Sequence, residues 1–114
     1  MCLVVHPKYA CLQEWIETIP DIFASKGEII YDKRNQIRIL PAPDGATLCV
    51  KRFHVPLFLN RYIYRYLRDS KARRSYENGW FLLSHGVGTP EPIAYIEEYT
   101  KAGLGYSYLI TQMF

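Results

Sequence analysis

The chain has 114 residues and a mass of 13.4 kDa, so we expect one domain with a modest hydrophobic core. Apolar residues make up 49% and charged residues 22%, which is ordinary for a soluble globular protein. The three cysteines form no CxxC pair, which argues against a disulfide framework and favours a reducing cytoplasm. The apolar run that opens the chain is too short for a signal peptide or a membrane span.

The first predicted element is a helix near the start of the chain. Its apolar positions repeat at three- and four-residue spacing: Tyr9, Leu12, Trp15 or Ile16, and Ile19. Pro20 and then Gly27 are expected to close this segment, because both residue types interrupt helices. The predicted organisation is therefore an N-terminal helical segment over 1–27, followed by the main body of the domain over 28–114.

Three strands joined by short turns are predicted next. The stretch GEIIYDKRNQIRIL, 27–40, contains two strands around a tight turn at 32–35. Asp44 and Gly45 suit a second hairpin turn, and ATLCVKRF, 46–53, follows as the third strand. Consecutive strands connected in this way form an antiparallel meander.

Beyond Pro56 the pattern changes to that of helices. A first helix has an apolar face (Leu59, Ile63, Tyr66 and Leu67) and a basic face (Arg61, Arg65 and Arg68). Ser70 is the expected N-cap of a second helix over 70–86. Two further strands, 93–99 and 105–114, complete the chain. The sequence thus predicts an α+β domain with a five-stranded antiparallel sheet, one helix before it, and two helices between the third and fourth strands.

Basic residues are concentrated in the middle of the chain. Eight of them fall within 51–74: Lys51, Arg52, Arg61, Arg65, Arg68, Lys71, Arg73 and Arg74. A single acid, Asp69, accompanies them. Such a concentration attracts the phosphate groups of a nucleotide, a nucleic acid or an anionic lipid, and it is equally compatible with a solvated helix face.

Lys51 interrupts the apolar character of the third strand. Side chains alternate between the two faces of a strand, so Lys51 shares one face with Cys49, while Leu48 and Val50 share the other. A lysine beside a small residue can reach a bound phosphate if an acid holds it in place. The alternative is a lysine that extends to water from the end of the strand.

Glu77 is the candidate acid, because it is the only acid in the helix over 70–86. It flanks Tyr76 on the apolar stripe and could point toward the sheet and meet Lys51. The alternative is a surface ion pair with Arg73 or Arg74, which lie four and three residues earlier on the same helix. Sequence spacing leaves both arrangements open.

The order of these pieces resembles the amino-terminal lobe of protein-kinase-like phosphotransferases, and more closely the bacterial lipopolysaccharide kinase family of Kdo and core-heptose kinases. LCVKRF resembles the third-strand lysine motif of that family. SKARRSYENGWFLLSHGVGTPEPIAY resembles its glutamate-bearing helix and the connection to the fourth strand, and SYLITQMF resembles the fifth strand near the hinge. IYDKRNQIRI occupies the place of the phosphate-covering hairpin. The resemblance covers essentially the whole chain.

The resemblance implies a small lobe that binds ATP and works in phosphoryl transfer to a lipopolysaccharide core sugar or a protein hydroxyl. Lys51 would orient the nucleotide phosphates, Glu77 would hold Lys51 through an ion pair, and Cys49 would lie over the adenine. Arg34 and Asn35 of the hairpin would cover the phosphates, although the hairpin lacks the glycine-rich pattern GxGxxG.

One departure from the family pattern limits what this chain is expected to do. None of its three histidines is followed two residues later by aspartate, and no DFG-like motif is present. The catalytic base and the Mg²⁺ ligands are therefore expected in a missing C-terminal lobe, no metal site is predicted in this chain, and the chain alone is predicted to be inactive. Without that lobe, we expect an exposed and self-associating sheet face around Cys49, Leu109, Met113 and Phe114.

A second hypothesis comes from a different functional class. It is a non-catalytic binding module whose basic helical face (Arg61, Arg65 and Arg68) contacts nucleic acid or anionic lipid. Steep salt dependence of such binding, without nucleotide binding, would favour it. In the first hypothesis the protein is cytoplasmic, with peripheral contact to an anionic membrane surface, and nucleic acid is not an expected partner.

Overall fold

The fold is seen in a computed structural model, which describes residues 2–23, 28–32, 36–53, 70–100 and 103–112. In chain order the elements are β1 (Cys2–Val5), a 3₁₀ helix (Pro7–Leu12), α1 (Gln13–Ile16), α2 (Ile19–Ile22), β2 (Glu28–Asp32), β3 (Gln36–Pro41), β4 (Thr47–Phe53), α3 (Lys71–Ser84), β5 (Pro92–Thr100) and β6 (Gly103–Gln112). The predicted helix with the basic face lies outside the described residues, as do Arg34 and Asn35.

All five predicted strands are present, and they belong to one antiparallel sheet with the order β1-β5-β6-β4-β3-β2. The sheet as described has a sixth strand, β1, which pairs with β5 at the sheet edge. The sequence pattern alone predicts no strand there, because four residues are too few for an alternating pattern to be recognised. The prediction of an α+β domain with an antiparallel sheet is confirmed, and β1 is an addition to it.

The N-terminal segment is helical, but it consists of short turns instead of one continuous helix. α1 ends at Ile16, and Pro20 lies in the first turn of α2, where its missing N–H leaves no hydrogen bond unmade. The expectation that Pro20 closes the segment is therefore wrong. The residues that line its inner side are nevertheless the apolar ones: Leu12, Ile16, Ile19 and Phe23 are buried.

The main core lies between this segment and one face of the sheet, which we call the N-terminal face. β4 contributes Leu48 and Val50, and β6 contributes Tyr108 and Ile110, all of them buried. Phe23 packs edge to face on Tyr108, with ring centroids 5.7 Å apart at an angle of 72°. Each fully buried aliphatic side chain of this kind stabilises the fold by about 1.5–3 kcal/mol.

α3 covers part of the opposite face of the sheet, which we call the helix face. Ser70 is its N-cap, as predicted, and the Ser70 hydroxyl oxygen accepts a hydrogen bond from the Arg73 N–H at 3.1 Å. A smaller apolar cluster forms beneath the helix from Phe53, Ala72 and Tyr95. α3 has 14 residues, and no helix in the described part of the chain has the length and apolar character to cross a membrane.

Candidate functional site

The register of the sheet places Lys51 in a row of side chains that crosses five strands. In antiparallel pairs, directly opposite residues point to the same face. The pairs therefore align Val4, Tyr95, Leu109, Lys51 and Ile37 along one row. Three members of this row belong to the cluster under α3 or pack against it, namely Val4, Tyr95 and Leu109. Lys51 thus lies on the helix face, which is the placement the nucleotide-binding hypothesis requires.

Lys51 is half-buried, and its closest described partner is an aromatic ring. The Lys51 Nζ atom lies 4.9 Å from the ring centroid of Phe53, two residues further along β4. This is cation–π distance, so the ring attracts the ammonium group while leaving its hydrogen-bond donors unused by that contact.

Cys49 and Thr111 form the next pair along the helix face. They are direct partners between β4 and β6, and Cys49 shares the side of β4 that carries Lys51. Burial raises the pKa of the Cys49 thiol, while a hydrogen bond with Thr111 and the charge of Lys51 act in the opposite direction. Cys49 is therefore a small, neutral, half-buried side chain beside the lysine, and not a reactive thiolate.

Glu77 does not pair with Lys51 in this structure. Its Oε1 atom accepts a hydrogen bond from Arg73 Nε at 2.8 Å, one turn earlier on α3. Both side chains are largely exposed, 53% for Glu77 and 45% for Arg73. The surface pairing that sequence spacing left open is thus the one observed, and the described ion pairs include none between Glu77 and Lys51.

The seating of α3 explains why the two candidate residues stay apart. Three contacts anchor the middle of the helix over β5 and over the residue that follows β1: Tyr76 on Tyr95, Gly79 on Pro92, and Trp80 on His6. Tyr95 and Lys51 are two strand spacings apart in the same row, which is about 10 Å between their backbones. Glu77 would have to cross this distance by a shift of the helix, a change of rotamer, or both.

A buried carboxylate on the helix face was not singled out by sequence reasoning. Glu97 is 4% exposed, and both Cys2 and Tyr99 form hydrogen bonds with its side chain. Burial and Glu97 together raise the pKa of Tyr99 to about 12, with the charge of Arg73 acting against them. Glu98, its neighbour, bonds with Tyr108 on the other side of the sheet. The signal in the sequence that could have found Glu97 is strand alternation, because it places two adjacent acids on opposite faces of the sheet.

A second polar cluster joins the N-terminal segment to the ends of β5 and β6. The Tyr9 hydroxyl donates to Glu91 Oε1 at 2.6 Å and accepts from Gln112 Nε2 at 2.7 Å. Lys8 Nζ lies 2.9 Å from the same Glu91 oxygen. These bonds lower the pKa of the Glu91 carboxyl, and burial with the Glu91 bond raises the pKa of Tyr9 to about 12.

The remaining residues of the predicted site are not seen together in the described part of the chain. Arg34 and Asn35 lie outside them, so the hairpin contribution to the site stays a prediction. Met113 and Phe114 are likewise outside, while Leu109 is half-buried in the row under α3. In the described ranges no three His, Cys, Asp or Glu side chains gather in a way that could hold a metal ion.

Comparison with known proteins supports the fold through one solved structure. The sequence matches no known protein-family model and no curated protein. The chain is similar in structure to WaaP, solved in complex with acyl carrier protein, with a TM-score of 0.63 and 19% sequence identity. The match covers 100% of this chain and 41% of the WaaP chain, so this chain spans less than half of that structure. At this identity the similarity shows a shared fold and no more.

Proposed function

We propose that this chain is the ATP-binding small lobe of a lipopolysaccharide-kinase-like phosphotransferase. The observation that supports the proposal most directly is the position of Lys51. A half-buried lysine lies on the middle of the sheet, on the face that also carries α3, and the helix itself carries one acid, Glu77. A similar arrangement of strand lysine and helix glutamate holds the phosphates of ATP in protein kinases.

In this proposal the helix face of β4 receives the nucleotide. Lys51 binds the phosphates, and Cys49 with Thr111 forms the small, neutral surface beside the adenine. Arg34 and Asn35 of the hairpin cover the phosphates from the side of β2 and β3. Once the Glu77 carboxylate has left Arg73, it stabilises the Lys51 ammonium group through an ion pair. Within the described part of the chain Lys51 contacts a ring and forms no ion pair, so its ammonium donors can be directed to phosphate oxygens.

The reaction that the proposal assigns to the whole enzyme is phosphoryl transfer from ATP to a hydroxyl of a lipopolysaccharide core sugar or of a protein. Such transfer depends on positioning and on charge stabilisation by Mg²⁺, whose ligands we assign to a second lobe. The sheet face around Cys49 and Leu109 is the surface that this lobe would cover. The partners are therefore the nucleotide, the second lobe, the acceptor and, for a lipopolysaccharide acceptor, an anionic membrane surface.

Equilibrium binding of ATP to the chain and its variants tests the proposal. Lys51→Ala should weaken ATP binding by about tenfold or more, because a charge-assisted contact with phosphate contributes roughly 1.5–3 kcal/mol. Lys71→Ala removes an exposed lysine from the start of α3 and serves as the matched control. Equal ATP affinity of the Lys51→Ala variant and the unmodified chain would contradict the proposal.

The hypothesis of a binding module with a basic helical face makes the opposite prediction in the same experiment. It expects salt-dependent binding to nucleic acid or anionic lipid and no ATP binding. Its defining residues, Arg61, Arg65 and Arg68, lie outside the described part of the chain. The described residues therefore leave this hypothesis untested, and the kinase-like function is the one that the described contacts support.

A further inference from the structure

The N-terminal face of the sheet carries a second basic group that the proposed nucleotide site does not use. Arg52 follows Lys51 on β4, and because side chains alternate it points to the opposite face. Its guanidinium carbon lies 4.8 Å from the ring centroid of Phe23 and 4.5 Å from that of Tyr106. The planar group is therefore positioned by two aromatic rings, which restricts its rotamers.

Hydrogen bonding orients the same guanidinium further. Arg52 bonds with the hydroxyl of Tyr108, which in turn bonds with Glu98. The ion pairs between described residues do not include Arg52, although the Glu98 carboxylate acts on the same Tyr108 hydroxyl. A guanidinium has five N–H donors, and one bond to a hydroxyl leaves most of them available.

A second guanidinium approaches the same ring from the neighbouring strand. The Arg38 guanidinium carbon lies 5.2 Å from the Phe23 centroid, and Arg38 Nε donates to Gln36 Oε1 at 3.0 Å. Two guanidinium groups therefore lie within cation–π distance of one buried ring, and an anion that contacts both would be attracted by both charges. Tyr106 is 39% exposed, so solvent reaches this group of side chains.

We propose that Arg52, Arg38 and Tyr106 form a binding site for a phosphate monoester group. A planar guanidinium binds two oxygens of a phosphate in parallel, and the two ring contacts of Arg52 restrict its fork to few orientations. A phosphate monoester carries a charge of about −1.5 to −2 at neutral pH, which suits two cations better than the single charge of a carboxylate does. The site lies on the sheet face opposite Lys51, so it does not depend on nucleotide binding there.

Titration with inorganic phosphate tests the site in a Lys51→Gln background, which removes phosphate binding at the helix face. The Nε–Hε signals of the arginines are followed by NMR at increasing phosphate concentration. We expect a saturable shift of the Arg52 signal and a smaller one for Arg38. Arg52→Lys keeps the charge but removes the fork, so phosphate affinity should fall by about three- to tenfold in that variant. Arg52→Gln should abolish saturable binding.

Controls separate a lost site from a lost fold and from a general charge effect. Thermal unfolding of each Arg52 variant, read by circular dichroism, reports folding, and the conservative Arg52→Lys variant keeps the comparison valid if Arg52→Gln unfolds. Lys71→Gln removes one positive charge elsewhere and should leave phosphate affinity unchanged. No saturable shift of Arg52, or equal phosphate affinity in Arg52→Lys and the parent, would overturn the proposal.

Vesicles distinguish the two sources of a phosphate monoester. Vesicles of phosphatidylcholine that contain phosphatidic acid present the group on a surface, and pure phosphatidylcholine vesicles are the control. If Arg52-dependent binding of the protein is seen only with vesicles that contain phosphatidic acid, the site is assigned to a membrane headgroup. If inorganic phosphate binds in an Arg52-dependent way with the same affinity in the presence and absence of vesicles, the site is assigned to a soluble phosphorylated ligand. Vesicle binding that is the same in Arg52→Lys and the parent would contradict the membrane assignment.

Discussion

Arg73 and Glu77 form an exposed ion pair on α3, with Arg73 Nε 2.8 Å from Glu77 Oε1. Under the proposed function, this pair competes with the pairing of Glu77 and Lys51 that would support a bound nucleotide. Exposed pairs at this helical spacing contribute about 0.3–0.5 kcal/mol, so the competition is weak and can be reversed by a bound ligand.

Arg73→Gln should therefore strengthen ATP binding by about twofold, because it removes the competitor and leaves Glu77 available to Lys51. Glu77→Gln should have the opposite effect, since the acid that holds Lys51 is lost. The measurement is the ATP dissociation constant of both variants by isothermal titration calorimetry. If both substitutions change the dissociation constant in the same direction, Glu77 is not exchanged between the two cations.

The second prediction concerns the contact between Gly79 and Pro92. A Cβ at position 79 would overlap the ring of Pro92, and Pro92 is held in β5. In an open helix position, alanine in place of glycine gains about 1 kcal/mol. At this site we expect the opposite sign, a loss of about 1–3 kcal/mol in the free energy of unfolding, because the helix must move away from β5.

Gly88→Ala is the matched control, since the space around Gly88 is open and its backbone is not in the left-handed region. Urea unfolding of both variants measures the difference. A Gly79→Ala variant as stable as the parent would mean that α3 is seated less closely on β5 than the structure shows. An increase in ATP affinity with loss of stability would instead indicate that moving α3 brings Glu77 toward Lys51.

The third prediction is a stability loss in acid that depends on Glu91. Its pKa is lowered from an ordinary value of 4.5 by the bonds from Tyr9 and Lys8, so the ionised form is favoured in the folded state. The contribution is fully present above pH 4.5 and is lost as the pH falls through the lower folded-state pKa. Glu91→Gln should flatten this acid limb of the stability curve, as measured by urea unfolding across the pH range. If the acid limb is unchanged in Glu91→Gln, other carboxyl groups are responsible for the loss of stability in acid.

The same cluster predicts a loss at the alkaline end. The pKa of Tyr9 is raised from 10.0 to about 12, so its neutral form is favoured by folding. Its contribution is fully present below pH 10 and disappears as the pH rises toward 12. Tyr9→Phe should lower stability at neutral pH and remove this part of the alkaline dependence. Absorbance of tyrosinate during titration identifies the transition, and a Tyr9→Phe variant with the same titration as the parent would contradict it.

Local signals in the sequence were sufficient for most of the fold. Ser70 was recognisable as an N-cap, and alternation along β4 placed Lys51 and Cys49 on one face. Both features were predictable because each depends on only a few neighbouring residues. β1 was missed because its four residues acquire strand structure from pairing with β5, a partner about 90 residues away in the sequence. Pro20 was misplaced because proline both ends and begins helices.

The candidate site was less predictable than the fold, for a physical reason. Glu77 had two possible partners, one on its own helix and one on the sheet, and local spacing contains no information about where the helix axis lies over the sheet. That position depends on Gly79 meeting Pro92 and on Tyr76 meeting Tyr95, which are tertiary contacts. The burial of Glu97 on the helix face has the same origin, since it becomes visible only when β1 is paired with β5.

The last prediction separates nucleotide binding from catalysis. Phosphoryl transfer needs a carboxylate that orients the acceptor hydroxyl and acids that hold Mg²⁺ against the phosphates. The described residues offer Lys51 for the phosphates but no acidic cluster that could hold a metal ion. Under the proposed function, we expect these 114 residues to bind ATP and to transfer no phosphate by themselves. The measurement is release or transfer of the γ-phosphate from labelled ATP with Mg²⁺, run beside the binding assay on the same preparation. Turnover that disappears in Lys51→Ala would show that the catalytic groups lie within this chain. ATP binding without turnover would support the proposal that a second lobe supplies them.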